Sequence, residues 1–148
     1  MWQLGTKFLP ILLAAVAGSL MAIQGTINSV LGKTIGKVES TLSVQLIGAL
    51  TIGLIWIFFK DGDFSKAGSA PWYAWLGGPI GVAIIFGVVV SIPKLGVGVA
   101  TTAIIAAQLL TAYSIDHFGL FGMQTIPFNL YKLAGIIFIV TGAKILLH

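Results

Sequence analysis

Cysteine and arginine are both missing from this chain of 148 residues, and charged residues of any kind make up only 8% of it. Without cysteine there can be no disulfide framework, thiolate nucleophile or sulfur-ligated metal. The two histidines, His117 and His148, have no metal-ligand spacing, and no cofactor is expected. The eight basic residues are single, scattered lysines, so the net charge of +4 forms no patch for nucleic acid. A soluble enzyme and a nucleic-acid-binding protein are therefore both disfavoured.

What the sequence has in abundance is apolar residues, at 57%, with a mean hydropathy of +1.05. A soluble domain carries about 25% charged residues, so this chain lacks the polar surface a water-soluble globule needs. Apolar runs of about 20 residues match the roughly 30 Å oily core of a bilayer. The composition predicts an all-α integral membrane protein that forms one transmembrane domain over residues 1–148.

Five apolar stretches are long enough to cross a bilayer as helices, the only open-ended structure that satisfies backbone groups in lipid. The first lacks a clear signal-peptidase site, so we expect it to be a span rather than a cleaved leader. The eight residues KTIGKVES are expected to connect the first two spans, and PKLG to form a tight turn between the third and fourth. The expected spans cover residues 8–31, 41–59, 72–92, 97–115 and 128–147.

Lysines are distributed evenly between the two sides of the membrane that these spans define. Lysine-rich loops normally stay cytoplasmic and fix the orientation, but here each side has four. In so small a chain the lysine counts could be equal by chance, and Lys144 could snorkel from inside the last span rather than count as a loop charge. The alternative is dual topology, in which an antiparallel homodimer of two five-helix chains makes a ten-helix inverted repeat, a plan common in transporters. The lysines on the N-terminal side are 7, 60, 66 and 132; those on the other are 33, 37, 94 and 144.

Small residues form a seam on the first span, where another helix can approach closely. The seam comprises Ala15, Gly18, Ala22, Gly25, Ser29 and Gly32. Further glycines, Gly77, Gly78 and Gly81, lie at the start of the third span, and we expect them to serve helix packing too. Pro79 among them predicts a bend, although glycine and proline are common in membrane helices.

Uncharged polar residues are the main candidates for a binding site. Gln24 and Asn28 lie one helical turn apart on one face, about 80° from the seam. An amide without a partner in lipid costs several kcal/mol, so these amides either join helices or line a polar cavity. The candidate solute-binding residues are Gln24, Asn28, Gln45, Thr101 and Gln108.

Ionisable residues are missing from the middle of every span, which argues against a carboxylate-centred proton exchange. Asp116, at the end of the fourth span, and His117 beside it are the candidates for ion coupling. The alternative is that Asp116 caps an exit turn and His117 lies at the membrane interface.

Several motifs resemble the YdcZ family of five-span proteins in the drug/metabolite transporter superfamily. They are AIQGTINSVLGKTIG (22–36), PWYAWLGG (71–78) followed by Gly81, SIPKLGVGVAT (91–101), Gln108 and IDHFGLFG (115–122). The residues that match the family pattern are Gln24, Asn28, Trp75, Gly77, Gly78, Pro93, Gly96, Gln108, Asp116, His117, Phe118 and Gly119.

The resemblance implies a multi-pass protein of the plasma (inner) membrane of a prokaryote. It would move a small organic solute or metabolite by alternating access, with two chains per transporter. The family's small multidrug resistance relatives exchange protons through a membrane glutamate, which this chain lacks. The alternatives are a dual-topology channel for a small ion and a non-transporting membrane protein whose seam binds another protein.

Overall fold

The structure is a computed structural model that describes the backbone of residues 3–146 and the side chains of residues 8–146. Five α-helices and three short 3-10 helices account for most of the described residues. The Lys7 side chain lies outside the described part of the chain, and so do residues 147 and 148. The α-helices are α1 (Gln3–Ile35), α2 (Lys37–Phe58), α3 (Gly77–Leu95), α4 (Val97–Phe118) and α5 (Leu130–Leu146).

Four helical segments in the described residues are long and apolar enough to cross a membrane. The all-α membrane class predicted from composition is thus confirmed. The fifth helix, α5, has 17 described residues, and its role as a span stays a prediction. The four spanning segments are Phe8–Ile35, Lys37–Phe58, Trp72–Leu95 and Val97–Phe118.

The connection between α1 and α2 is a single residue, Gly36, so the predicted eight-residue connection was wrong. Gly36 has a φ of 105°, which only glycine adopts readily. Its N–H donates to the Gly32 carbonyl at 3.2 Å, and its carbonyl accepts from Ser40 N–H at 3.0 Å. The polar residues Ser40 and Thr41 lie within α2, where their hydroxyls both donate to the Lys37 carbonyl. The polar side chains that suggested a loop therefore form their hydrogen bonds inside a helix.

A second single-glycine junction, Gly96 with a φ of 83°, separates α3 from α4. The α3 helix runs through Pro93 and ends only at Leu95, beyond the predicted end of the third span. At its other end, Pro79 lies in the first turn of α3. A 3-10 helix, Trp72–Leu76, leads directly into this turn.

The segment between α2 and α3 begins with a capped 3-10 helix, Phe64–Ser69. The Asp63 carboxylate accepts a hydrogen bond from the Ser65 hydroxyl at 2.7 Å and another from the Ser65 backbone N–H at 2.9 Å. These two bonds, the side-chain one foremost, hold the pKa of Asp63 below its usual value of 3.8. Lys60 lies over the Trp56 ring, 4.6 Å from its centre, as expected for a lysine at a membrane interface.

The chain divides into two compact units, with the boundary between Lys94 and Leu95. In the first unit, α1 packs against α2 and also contacts α3. In the second unit, α4 packs against α5 and against the 3-10 helix Leu120–Gly122. The α4 helix ends at Phe118, and the next residue, Gly119, has a left-handed φ of 59° and caps the helix by donating its N–H to the Ile115 carbonyl.

Most Ser and Thr hydroxyl groups within the spanning helices are satisfied by the backbone of their own helix. Eight of these residues donate to the carbonyl four residues earlier, at 2.7–3.2 Å. The side-chain amides in the same helices make no such bond, so they have to be considered separately. The hydroxyl residues are Ser19, Thr26, Thr34, Thr51, Ser91, Thr102, Thr111 and Ser114.

Candidate functional site

Two glycines of the seam bring α1 into close contact with α3. A Cβ atom at Gly25 would lie 2.8 Å from Val88 Cγ1, and one at Gly32 would lie 2.5 Å from Val89 Cγ1. Both distances are shorter than two carbon atoms tolerate. Only glycine therefore allows this approach, and the close contact fixes which side of α1 faces α3.

The other candidate packing glycines have more open surroundings. Gly81 lies near the Gln45 side chain, with Nε2 3.8 Å from the position a Cβ would take. Gly18, Gly77 and Gly78 have no described atom within 4 Å of that position. The seam is thus occupied by α3 along its C-terminal half, while Gly18 lies open.

Asn28 lies beside the α3-facing side of α1, about 40 to 60° round the helix from Gly25 and Gly32. Only 5% of its surface is exposed, yet its amide has no hydrogen-bond partner among the described residues. No fully enclosed side-chain nitrogen or oxygen in the described part of the chain lacks a partner. The Asn28 amide atoms are therefore not fully enclosed, and they open to the outside of the protein.

The Asn28 amide atoms open onto a shallow groove of about 460 Å³ along α1. Its residues recur at intervals of three and four and so form one helical face. Within it, Gln24 is exposed and Asn28 is buried, and neither amide has a partner among the described residues. No lining residue is ionisable or aromatic. The lining consists of Ala17, Leu20, Met21, Ile23, Gln24, Ile27 and Asn28.

The remaining binding candidates lie on two other helices. Gln45 is half-buried on α2 within the first unit, beside Gly81. Thr101 is half-buried and Gln108 is exposed on α4, which belongs to the second unit. None of the three side chains has a hydrogen-bond partner within residues 8–146.

Asp116 and His117 lie in the last turn of α4, where the following segment folds back on them. The Ile126 N–H donates to the Asp116 carbonyl at 2.8 Å, and the Phe128 N–H donates to His117 Nδ1 at 3.4 Å. The His117 ring also contacts the Phe128 ring, with 6.3 Å between centres. Nδ1 can accept this bond only when it carries no proton, which places the proton of neutral His117 on Nε2.

One feature of this region was missed in the sequence analysis. Asn129 caps α5, because its side-chain oxygen accepts from the Lys132 N–H at 2.9 Å. Lys132 Nζ in turn donates to the Pro127 carbonyl at 3.2 Å and lies 6.0 Å from the centre of the Tyr113 ring. An asparagine immediately before an apolar run is the signal that could have placed the start of the helix.

No curated protein and no solved structure matches this chain. A family described as "Putative inner membrane exporter, YdcZ" matches residues 9–145, which include all five α-helices except the ends of α1 and α5. That description is one of a transport family. With nearly the whole sequence matched, the chain belongs to the YdcZ family of membrane proteins, as its glycine-rich and IDHFGLFG motifs predicted.

Proposed function

We propose that this protein exports a small organic solute across the inner membrane by alternating access, and that the solute binds in the α1 groove against Asn28. The observation that carries the proposal is Asn28, because only 5% of the residue is exposed and yet its amide has no partner among the described residues. In lipid such a group costs several kcal/mol. A bound solute, with water in its absence, would supply the missing hydrogen bonds.

The alternative role for this amide is to join helices. Interhelical hydrogen bonds in membranes contribute about 0.6 kcal/mol on average and at most about 1.7 kcal/mol. The contact between α1 and α3 is made by Gly25 and Gly32 and needs no amide bond. Binding is therefore the better explanation for Asn28, and the smooth glycine contact would allow α1 to shift against α3 during transport.

Thiol labelling tests whether the groove is hydrated, and the absence of native cysteine makes single-cysteine variants unambiguous. Ile27 lines the groove, whereas Val30 lies outside it on the same helix, and their exposures are similar at 61% and 60%. A membrane-impermeant maleimide should label Ile27→Cys in intact membranes and leave Val30→Cys unlabelled. If both stay unlabelled, the groove is a dry contact surface and the proposal fails.

Export itself is tested with two dyes, the neutral Nile red and the cationic ethidium, in cells that overproduce the protein. At least one dye should leave wild-type cells at a rate that saturates with its concentration. Asn28→Leu should lower that rate about tenfold, the effect of about 1.4 kcal/mol of lost hydrogen bonding. The matched control, Gln124→Leu, removes an exposed amide outside the helices and should change nothing. Flux that fails to saturate would indicate a channel, and no Asn28-dependent flux would refute the proposal.

We further propose that α5 completes five spans and that two chains pair in antiparallel orientation. The 17 described residues of α5 extend about 25 Å at 1.5 Å per residue, close to the roughly 30 Å core. The equal lysine counts of the two sides favour insertion in both directions. Inverted pairing would give the ten-helix repeat on which many transporters are built.

Cysteines at opposite ends of α2 test this topology. Gly68→Cys lies in the segment after α2, where a side chain meets no described atom within 4 Å, and Val38→Cys lies exposed near the start of α2. In intact cells an impermeant maleimide should label about half of the molecules at each position. Full labelling at one position and none at the other would establish a single orientation and refute the antiparallel pair.

A further inference from the structure

We infer that the solute bound in the α1 groove is uncharged: a mostly apolar molecule with one head group that both donates and accepts hydrogen bonds. This inference rests on the proposed function and concerns the same groove. It follows from three features of the lining, which are its lack of charge, its position along the helix and its amide chemistry.

Nothing in the groove could balance a charge on the solute. The lining contains no acid, base or aromatic ring, so neither an ion pair nor a cation–π contact is available there. The charged residue nearest to the groove along α1 is Lys33, five residues beyond Asn28 and on a different side of the helix. A solute ion would give up its hydration without gaining a counter-charge.

The groove also lacks the backbone groups that bind anions. Free N–H groups occur only in the first turn of a helix, where the helix dipole also favours an anion. The lining residues run from Ala17 to Asn28, in the interior of a helix that begins at Gln3 and ends at Ile35. Their N–H groups are therefore engaged within the helix, which leaves side chains as the only polar contacts.

The two side-chain amides define the head group of the solute. Each amide offers a carbonyl oxygen that accepts and an NH₂ group that donates. A neutral carboxamide, lactam or similar group can pair with the Asn28 amide in both directions at once, whereas a carboxylate only accepts and an ammonium only donates. The other five lining residues are apolar, and the volume of about 460 Å³ falls within the range of pockets for small organic ligands.

Three naphthalene probes that differ only in the head group test the inference on the purified full chain in lipid nanodiscs. They are 1-naphthaleneacetamide (neutral), 1-naphthaleneacetate (anion) and 1-naphthylmethylammonium (cation), with binding followed by naphthalene fluorescence. The acetamide should bind at least tenfold more tightly than either ion. Asn28→Leu should weaken acetamide binding about tenfold, and Gln124→Leu should leave it unchanged.

A second variant keeps the test decisive if Asn28→Leu fails to fold. Gln24 is exposed, so Gln24→Leu leaves the helix packing intact, and it should weaken acetamide binding about threefold. If either ion binds as tightly as the acetamide and loses affinity in these variants, the solute class is wrong although the groove binds solute. If no probe shows binding that depends on Gln24 or Asn28, the groove itself fails, and the proposed function fails with it.

Discussion

Replacement of Gly32 by alanine tests the contact that holds α1 against α3. The added Cβ would lie 2.5 Å from Val89 Cγ1 and 3.2 Å from Ser40 Oγ, whereas carbon atoms pack best at about 3.5–4.0 Å. Neither neighbour can move easily. Val89 is 1% exposed and β-branched, and Ser40 is fully buried with its hydroxyl bonded to the Lys37 carbonyl.

The magnitude follows from two opposing terms. Overpacking a tight contact costs about 1–3 kcal/mol, and exchange of glycine for alanine within a helix returns up to about 1 kcal/mol. We therefore expect Gly32→Ala to lower the free energy of unfolding by about 1–2 kcal/mol. Gly18→Ala is the matched control, because it lies on the same helix with no described atom within 4 Å. It should leave the stability unchanged or raise it by up to about 1 kcal/mol.

Unfolding by sodium dodecyl sulfate in mixed micelles, followed by tryptophan fluorescence, measures both variants. A second substitution then locates the clash. In the Gly32→Ala background, Val89→Ala should cost at least about 0.5–1 kcal/mol less than it costs in the wild type, because it makes room for the new methyl group. If Gly32→Ala is as stable as Gly18→Ala, or if the two substitutions are simply additive, α1 and α3 are not in the close contact described.

Three further predictions concern the ends of helices. Gly119→Ala should destabilise the second unit by about 1–2 kcal/mol in thermal unfolding, because alanine disfavours the left-handed φ of 59°. Ser65→Ala should raise the pKa of Asp63 towards 3.8 in an NMR titration, because the hydrogen bond from the Ser65 hydroxyl is the main cause of the lowered pKa. The bond from the Ser65 backbone N–H remains in this variant. In the wild type both bonds should persist at neutral pH and weaken only as the pH falls below about 3.8. His117→Leu should speed hydrogen exchange at the Phe128 N–H severalfold, because that N–H loses its acceptor.

Each of these predictions has a control within the same segment. Gly122 also has a positive φ, but a Cβ there would have no described atom within 4 Å. Gly122→Ala should therefore destabilise the protein less than Gly119→Ala, where the new Cβ would also clash with Thr125 Oγ1. Ser69→Ala leaves the Asp63 hydrogen bonds intact and should not shift that pKa. In His117→Leu the Ile126 N–H, bonded to a backbone carbonyl, should exchange as slowly as in the wild type. Equal effects in a variant and its control would refute the corresponding cause.

The sequence predicts the membrane class and the spanning segments because these depend on apolar length alone. It does not predict the junction at Gly36, because lysine, serine and threonine resemble a loop until their hydroxyls are known to bond within α2. Helical spacing predicts that Gln24 and Asn28 lie on one face. It does not predict that Gln24 is exposed and Asn28 is buried. The contact that Gly25 and Gly32 make with α3 is likewise not revealed by any pattern within α1.

The single-glycine junctions also bear on how this chain withstands proteolysis. A protease binds its substrate as several residues of extended chain, which exposed loops supply. At Gly36 and at Gly96 one helix gives way to the next within one residue, so neither position offers such a stretch. Cleavage of the folded protein, within the described residues, is thereby confined to two places: residues 59–71, and residues 119–129 beyond the end of α4.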